Sequence, residues 1–465
     1  MATSSQIYFE IPPILQLSQE LIDEIIDDTP ELEDLKSLSL VCQVFRPRCE
    51  RHIFTSIRFH SDDAVGRGKR AKRIQQFIDI LSRKPYVAGY VQELYLGVEG
   101  RDQEWIVKPD FLKIMDLIRQ SGLPLKKFEL AGHKFDWPKI ANPRRFAESF
   151  CAPFISPFLS SLCIKDLYGV PLTLVTGCTN LRSLEMTRVT FGGLNLVRNT
   201  NTSLRALRFD RCSYAIQAQL LKKEVLGSHP FLDFSKLRII QTDASCLENV
   251  MSLGRLLQVP SVGSLEELYL RMTCEYLVYT CELSKILPSS DAEVSCDDLS
   301  KWIDCGTLCQ LRILHVDIPF TYPGLSPDGL ISICKLLKTI SFTNVLEELT
   351  IGIFLGLFWK SPDQVEIANW AFLDHEVRRL SSGKPLQFHL HLLYNTADGN
   401  RGHPESEDVY TDEHQNSNSS HYPHALVEQT FRKMVEKKLP MIRSDLNIIF
   451  HLTIDPDCPP QFPDT

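Results

Sequence analysis

The chain of 465 residues has no apolar run long enough to cross a bilayer. Its longest, Ile351 to Trp359, is far short of the roughly 20 residues that a membrane-spanning helix needs, so a soluble protein without a membrane partner is expected. No basic-then-apolar segment opens the sequence, and its 14 cysteines are scattered singly. Both features argue for reduced thiols and a cytoplasmic or nuclear location. An excess of one charge is also lacking: 50 basic residues face 58 acidic ones, a formal net charge of -8. That balance argues against a protein that coats nucleic acid.

Catalytic signatures are missing as well. There is no phosphate-cradling glycine loop, no GxSxG elbow and no HExxH zinc helix; His375-Glu376 is followed by Val377, Arg378 and Arg379 rather than by a second histidine. Cys296, Cys305 and Cys309 lack the paired spacing of a zinc site and read as buried reduced thiols. His389 and His391 share one strand face, where alternate residues converge, yet no third ligand accompanies them at a telling spacing, so they read as part of a recognition surface. No catalytic residue, cofactor or metal is expected. The run Arg67 to Arg73 holds five cations in seven residues and reads as a nuclear-import signal or, more simply, as a solvated loop before a helix.

What is present is concentrated first near the N-terminus. Leu21, Ile22, Ile25 and Ile26 recur at the spacing that places apolar side chains on one helix face, opposite Glu20, Asp23, Glu24 and Asp27. Ser18 precedes this helix as a candidate cap, and Glu20 puts an acid where the helix dipole favours one. After Pro30 a second helix is expected from Glu33 or Asp34, burying Leu35, Leu38, Val41, Cys42 and Phe45 and ending before Pro47. A unit of about 45 residues is too small for a self-sufficient core, so its apolar faces call for a partner protein or for the rest of the chain.

The succession Leu-x-x-Glu-Leu-Ile-x-x-Ile-Ile (Leu17 to Ile26), Asp34-Leu35-x-x-Leu38-x-Leu40-Val41-Cys42-x-x-Phe45 and His52-Ile53-Phe54-x-x-Ile57-x-Phe59 resembles the F-box, in the form seen in fungal families. Two positions depart from that pattern: Ser18 stands where proline is usual, and Thr29 where a leucine closes the first helix. The competing reading of the segment is a two-helix cap on a larger core.

Further along, apolar residues recur at positions 1, 4 and 6 of a short motif: Val91-Leu94-Leu96, Leu125-Phe128-Leu130, Leu159-Leu162-Ile164, Leu181-Leu184-Met186, Leu204-Leu207-Phe209, Leu265-Leu268-Leu270, Leu311-Leu314-Val316 and Leu346-Leu349-Ile351. Leu237-Ile240-Thr242 is a weaker copy. The motif resembles the strand segment of leucine-rich repeats, with the last two apolar residues pointing inward from a parallel strand. Amphipathic stretches lie between the copies, at Arg73 to Arg83, Asp110 to Arg119 and Pro327 to Leu337. A long helix is expected over Asp363 to Ser381, a strand over Gln387 to Tyr394, then a helix (Ala425 to Lys438) and a strand (Leu446 to Ile454). Alternation of strand and helix argues for a parallel sheet.

The expected fold is therefore α/β, a small N-terminal helical F-box followed by an irregular leucine-rich-repeat solenoid with strands inside and helices outside. Its divisions are a disordered N-terminus (1–10), the helical module (11–60), a basic loop and linking helix (61–86), the repeat-like domain (87–455) with a disordered acidic insertion (395–422), and a disordered tail (456–465). The F-box resemblance implies a non-catalytic substrate-recognition subunit of a Skp-cullin-F-box ubiquitin ligase, partnered by a Skp-type adaptor, its cullin-RING ligase and a protein substrate. It assigns the adaptor face and module core jointly to Leu21, Ile22, Ile25, Leu35, Leu38, Leu40, Val41 and Phe45; periodicity does not divide them. Substrate contact is expected on solvent-facing strand positions such as Asp317, with Tyr95, Arg208, Tyr269, Arg271, His315, His389 and His391 as the candidate contacts. The alternative is a leucine-rich-repeat scaffold or interaction module whose F-box is vestigial.

Overall fold

The structure, a computed structural model, describes residues 13–59, 67–98, 104–137, 143–192, 202–210, 232–243, 247–258, 260–272, 299–320, 329–341, 343–355, 368–394 and 424–456. The expected disordered segments at 1–10 and 395–422 lie outside the described residues, as does Cys296. The chain divides into two compact units, Met1–Leu181 and Arg182–Thr465.

Three helices open the first unit: α1 (Gln19–Asp27), α2 (Leu32–Val41) and α3 (Arg46–Thr55). Their core consists of Ile22, Ile26, Leu35, Phe45 and Cys49, with Leu38, Cys42 and Ile53 partly buried against it. The second helix ends at Val41, earlier than expected, and Pro47 opens a third helix instead of closing the second. Proline is tolerated in a first turn because the amide it lacks has no helical acceptor there. Phe45 thus reaches the core from the link between α2 and α3.

α3 runs directly into β1 (Ser56–Phe59), so the end of the expected module belongs to a sheet. There follow α4 (Arg67–Arg83), β2 (Glu93–Val98), α5 (Pro109–Gln120), β3 (Lys127–Asp136) and β4 (Ser161–Tyr168). Strands β1 to β4 pair in parallel and in chain order. The basic run is not a solvated loop but the start of α4. Within it Arg70 is buried, its guanidinium 4.9 Å from the centroid of the Trp105 ring, where cation-π attraction offsets lost hydration.

The second unit contributes β5 (Ser183–Thr187), β6 (Ala206–Asp210), β7 (Ile239–Asp243), α6 (Leu247–Leu257), β8 (Glu267–Arg271), β9 (Ile313–Phe320), α7 (Gly329–Thr339), β10 (Glu348–Leu355), α8 (Trp370–Ser381), β11 (Leu386–Tyr394), α9 (His424–Lys438) and β12 (Ile448–Pro456). Strands β5 to β12 pair in parallel, each with the next in the chain. Helices α6, α7, α8 and α9 pack on β7, β9, β11 and β12 respectively. α8 starts at Trp370, later than expected; Ala368 and Asn369 before it are not helical, and 363–367 lie outside the described residues. Pro456 closes β12, and the tail from 457 onward is not described.

In every copy of the repeated motif, positions 4 and 6 are at most 1 % exposed, the weak copy with Thr242 included. Alternation along a strand sends these two residues to one face and the residues between them to the other. The result is an α/β architecture of parallel strands with one apolar face that receives the helices and one polar face. No described helix is long and apolar enough to cross a membrane.

Candidate functional site

Two surfaces stand out, one in each unit. In the helical module, residues four apart stack on the same side of α1. Ile22 and Ile26 form the buried pair, at 4 % and 2 % exposure, whereas Leu21 and Ile25, each one position earlier, are 48 % and 46 % exposed. The single apolar face read from periodicity is therefore two faces. α2 repeats the division: Leu35 is buried and Leu38 partly so, while Leu40 and Val41 are 87 % and 75 % exposed. Val41 was expected inside. It is the last helical residue, and the extended backbone of Cys42 (φ -145, ψ 140) turns the chain toward Phe45, leaving Val41 outside.

Polar contacts hold this arrangement. Ser18 occupies the N-cap position of α1 in extended conformation, but its side chain makes no capping bond to a helix amide. The α1 N-terminus acts on Glu20 instead: its own backbone amide and the Ser18 hydroxyl hold its carboxyl below the usual value. At the other end, Asp27 accepts hydrogen bonds from Arg48 Nε at 2.6 Å and pairs with His52 Nε2 at 2.7 Å, which ties α1 to α3. These bonds, Arg48 first, hold the Asp27 carboxyl well below the usual range. The Thr29 hydroxyl donates to the Ile25 carbonyl at 2.9 Å.

Glu50 anchors the module to the residues that follow it. It is buried, and its carboxylate accepts from Arg46 Nε (2.9 Å), Lys84 Nζ (2.5 Å) and the Tyr86 hydroxyl (2.9 Å). Burial alone pushes this carboxyl up, but the three donors, Lys84 first, outweigh it and hold the group below its ordinary value. Beside this anchor runs an open groove of about 740 Å3, lined by Asp23, Val44, Pro47, Arg48, Tyr86 and Leu123 among others.

The second surface is the polar face of β5 to β12. Strand register places Arg208, Gln241, Tyr269, His315, Thr350, His389 and His451 in one row across adjacent strands. Two residues further along, Asp210, Asp243, Arg271, Asp317, Gly352 and His391 form a second row. Six of the seven expected substrate contacts thus share one face, while Tyr95 lies in the first unit, on β2. Tyr95 is half-buried, its ring 4.6 Å from the Arg58 guanidinium and its hydroxyl bonded to Glu93 at 2.9 Å.

Two of these positions are not solvent-facing as expected. Tyr269 is buried, its hydroxyl donating to Glu267 at 3.0 Å. Burial, and then the charge of Glu267, push its phenol above the usual range. Asp317 is fully buried, held by His315 Nε2 at 2.7 Å and Arg271 Nε at 3.4 Å. Gly352 on the next strand makes room for it: a Cβ there would meet Asp317 Oδ1 at 2.0 Å. A charge can be buried this way because the partners and hydrogen bonds replace its water.

Arg208 pairs with Glu185 at 3.8 Å. The rings of His389 and His451 stack at 4.6 Å, and His391 lies edge-on to His389 at 6.2 Å and to His315 at 6.4 Å. Burial first, then neighbouring histidines, hold His389 and His391 below their ordinary value. Among the described residues, no three histidine, cysteine or acidic side chains come together to hold a metal ion. Sequence reasoning missed Gln241, Gly352 and His451. His451 was legible in the alternation of the last strand; the other two depend on neighbours from other strands. No protein-family model and no curated protein matches this chain.

Proposed function

We propose that the chain is the substrate-recognition subunit of a Skp-cullin-F-box type ubiquitin ligase. In this reading residues 13 to 55 form an F-box that docks a Skp-type adaptor, and the parallel strands form a leucine-rich-repeat-like array that holds a protein substrate. One observation carries it. Eight of the sixteen large apolar residues exposed among the described ones fall between Ile14 and Val44, including Leu21, Ile25, Leu40 and Val41. Concentrated exposed aliphatic surface of this kind marks a protein contact, and it coincides with positions at which the sequence resembles the F-box.

The division of that segment explains how it acts. Ile22, Ile26, Leu35 and Phe45 keep the module folded, so Leu21, Ile25, Leu40 and Val41 remain for the adaptor. Burying a large aliphatic side chain fully contributes about 1.5–3 kcal/mol, so a few of them supply most of the affinity of a specific contact. No covalent chemistry falls to this chain. A substrate held on the strand face of a ligase-bound subunit experiences a raised effective concentration of the conjugating enzyme.

Co-purification with a Skp-type adaptor tests the proposal. Leu21→Ala combined with Val41→Ala removes exposed side chains only, so it should abolish capture while leaving the circular dichroism spectrum unchanged. Failure of the wild-type protein to capture the adaptor, or capture by the double variant, refutes the proposal and leaves the scaffold reading.

A further inference from the structure

The polar face of β8 to β12 combines carboxylates with imidazoles. Glu267 and Glu348 stand in one row at its lower edge, across from Ile313, and Asp455 stands near the far end of β12. Among the described residues no cation forms an ion pair with any of these three; the hydroxyls of Tyr269 and Thr350 donate to Glu267 and Glu348. Arg271 and Asp317 pair with each other, and His315 with Asp317. His389 and His391 lie in the same field, and their burial favours the neutral form at pH 7. The face therefore carries unneutralised negative charge among hydrogen-bonding rings.

A second observation on the same face points to a ligand. Gln241, 1 % exposed, has neither its amide nitrogen nor its amide oxygen hydrogen-bonded. Leaving such a group unpaired costs about 1–3 kcal/mol, and a side-chain amide is complementary to a peptide backbone, which offers one donor and one acceptor per residue. From Gln241 to His451 the row crosses five strand-to-strand steps. At about 4.8 Å per step that is about 24 Å, the reach of about seven extended residues.

We infer that this face binds an extended, lysine- or arginine-bearing protein segment, whose cations meet Glu267, Glu348 and Asp455 and whose backbone engages the buried amide. The inference rests on the strand face being the substrate surface, and it names the substrate class. Acidification opposes binding: protons taken up by His389 and His391 place positive charge beside the carboxylates that attract the segment. The groups facing these histidines on the packed strands are Glu267 and Arg271 on β8, His315 and Asp317 on β9, Glu348 on β10, and His451 and Asp455 on β12.

The test uses the full chain with fluorescein-labelled octalysine and octaglutamate, followed by fluorescence polarisation at low salt. Octalysine should bind and octaglutamate should not. Glu267→Gln with Glu348→Gln should weaken octalysine binding about 5-fold or more, whereas Glu24→Gln with Glu31→Gln, two exposed acids of the helical module, should leave it unchanged. Asp455→Asn, on an exposed strand end, should show a smaller loss in the same direction and serves if the double variant does not fold. Affinity of the wild type should hold steady above about pH 6.5 and fall as the pH drops below it, and His389→Asn with His391→Asn should remove most of that fall. Equal binding of octaglutamate, equal loss in the module variant, or pH-independent binding overturns the inference. Adaptor capture measured on the same preparations separates the readings: octalysine binding without adaptor capture refutes the ligase reading alone.

Discussion

The helical module and the strand face of the second unit divide their side chains in opposite ways. The module leaves aliphatic residues in water, with Leu40 and Val41 more than 70 % exposed. The strand face takes polar groups out of water, with Gln241 and Asp317 at 1 % and 0 %. Each is costly for an isolated protein: apolar surface in water forgoes about 25 cal/mol per Å2, and a buried polar group requires replacement partners. Asp317 has such partners in His315 and Arg271, with space over Gly352; Leu21 and Leu40 of the module stay exposed. The two regions therefore face outward with different chemistry: the module with aliphatic side chains in water, the strand face with polar groups, of which Asp317 is paired and the Gln241 amide is not.

The largest effect is expected at Gly352. Gly352→Ala places a methyl group 2.0 Å from Asp317 Oδ1 and should destabilise the protein by about 3 kcal/mol through overpacking and loss of the buried pairing. Urea unfolding measures it, and an unchanged midpoint would show that the carboxylate does not need this space. Next in size is a pair of adjacent substitutions in the module. Ile26→Ala should cost about 2–4 kcal/mol of stability, while Ile25→Ala should cost less than about 0.5 kcal/mol yet weaken adaptor capture. If the two variants behave alike, α1 does not have separate inner and outer faces.

Smaller effects come from titration. For His389 and His391 the folded state resists protonation, so the unfolded chain binds protons first as pH falls. Their stabilising effect is complete above the ordinary histidine value of about 6.5 and is lost below it, toward their lowered folded values. Unfolding midpoints should therefore drop between about pH 7 and about pH 5, less so in His389→Asn with His391→Asn. The smallest effect belongs to Asp27. Its contribution is complete above about 3.9 and disappears only as pH falls well below that value. Asp27→Asn should thus slightly lower the module's stability at neutral pH and flatten its acid loss, as read by circular dichroism.

Much of the fold was legible from particular residues. The pairs Leu94 and Leu96, Leu268 and Leu270, and Leu349 and Ile351 are all buried as their spacing required, because strand alternation is a local property of the backbone. The same rule put His315, His389 and His391 on one face. It failed at Tyr269, a side chain read as a solvent-facing contact, because alternation assigns a face and says nothing of what covers it. Pro47 was misread because a proline beginning a helix and a proline ending one look alike until the neighbouring turn is known. Among the module residues, Leu21 and Ile22 are equivalent to any reading of hydrophobicity; only α3 and Phe45 distinguish them.

The α/β alternation and the positions of the strands from β2 onward were fixed locally, since they follow from periodicities of two and of 3.6 residues that do not depend on distant neighbours; β1, expected as part of the helical module, was not. The tertiary structure alone decided which apolar residues stay in water and which carboxylate is buried. Those outcomes depend on whether a second element arrives to cover a side chain, and residues far apart in the chain, such as Asp317 and Gly352, settle that between them.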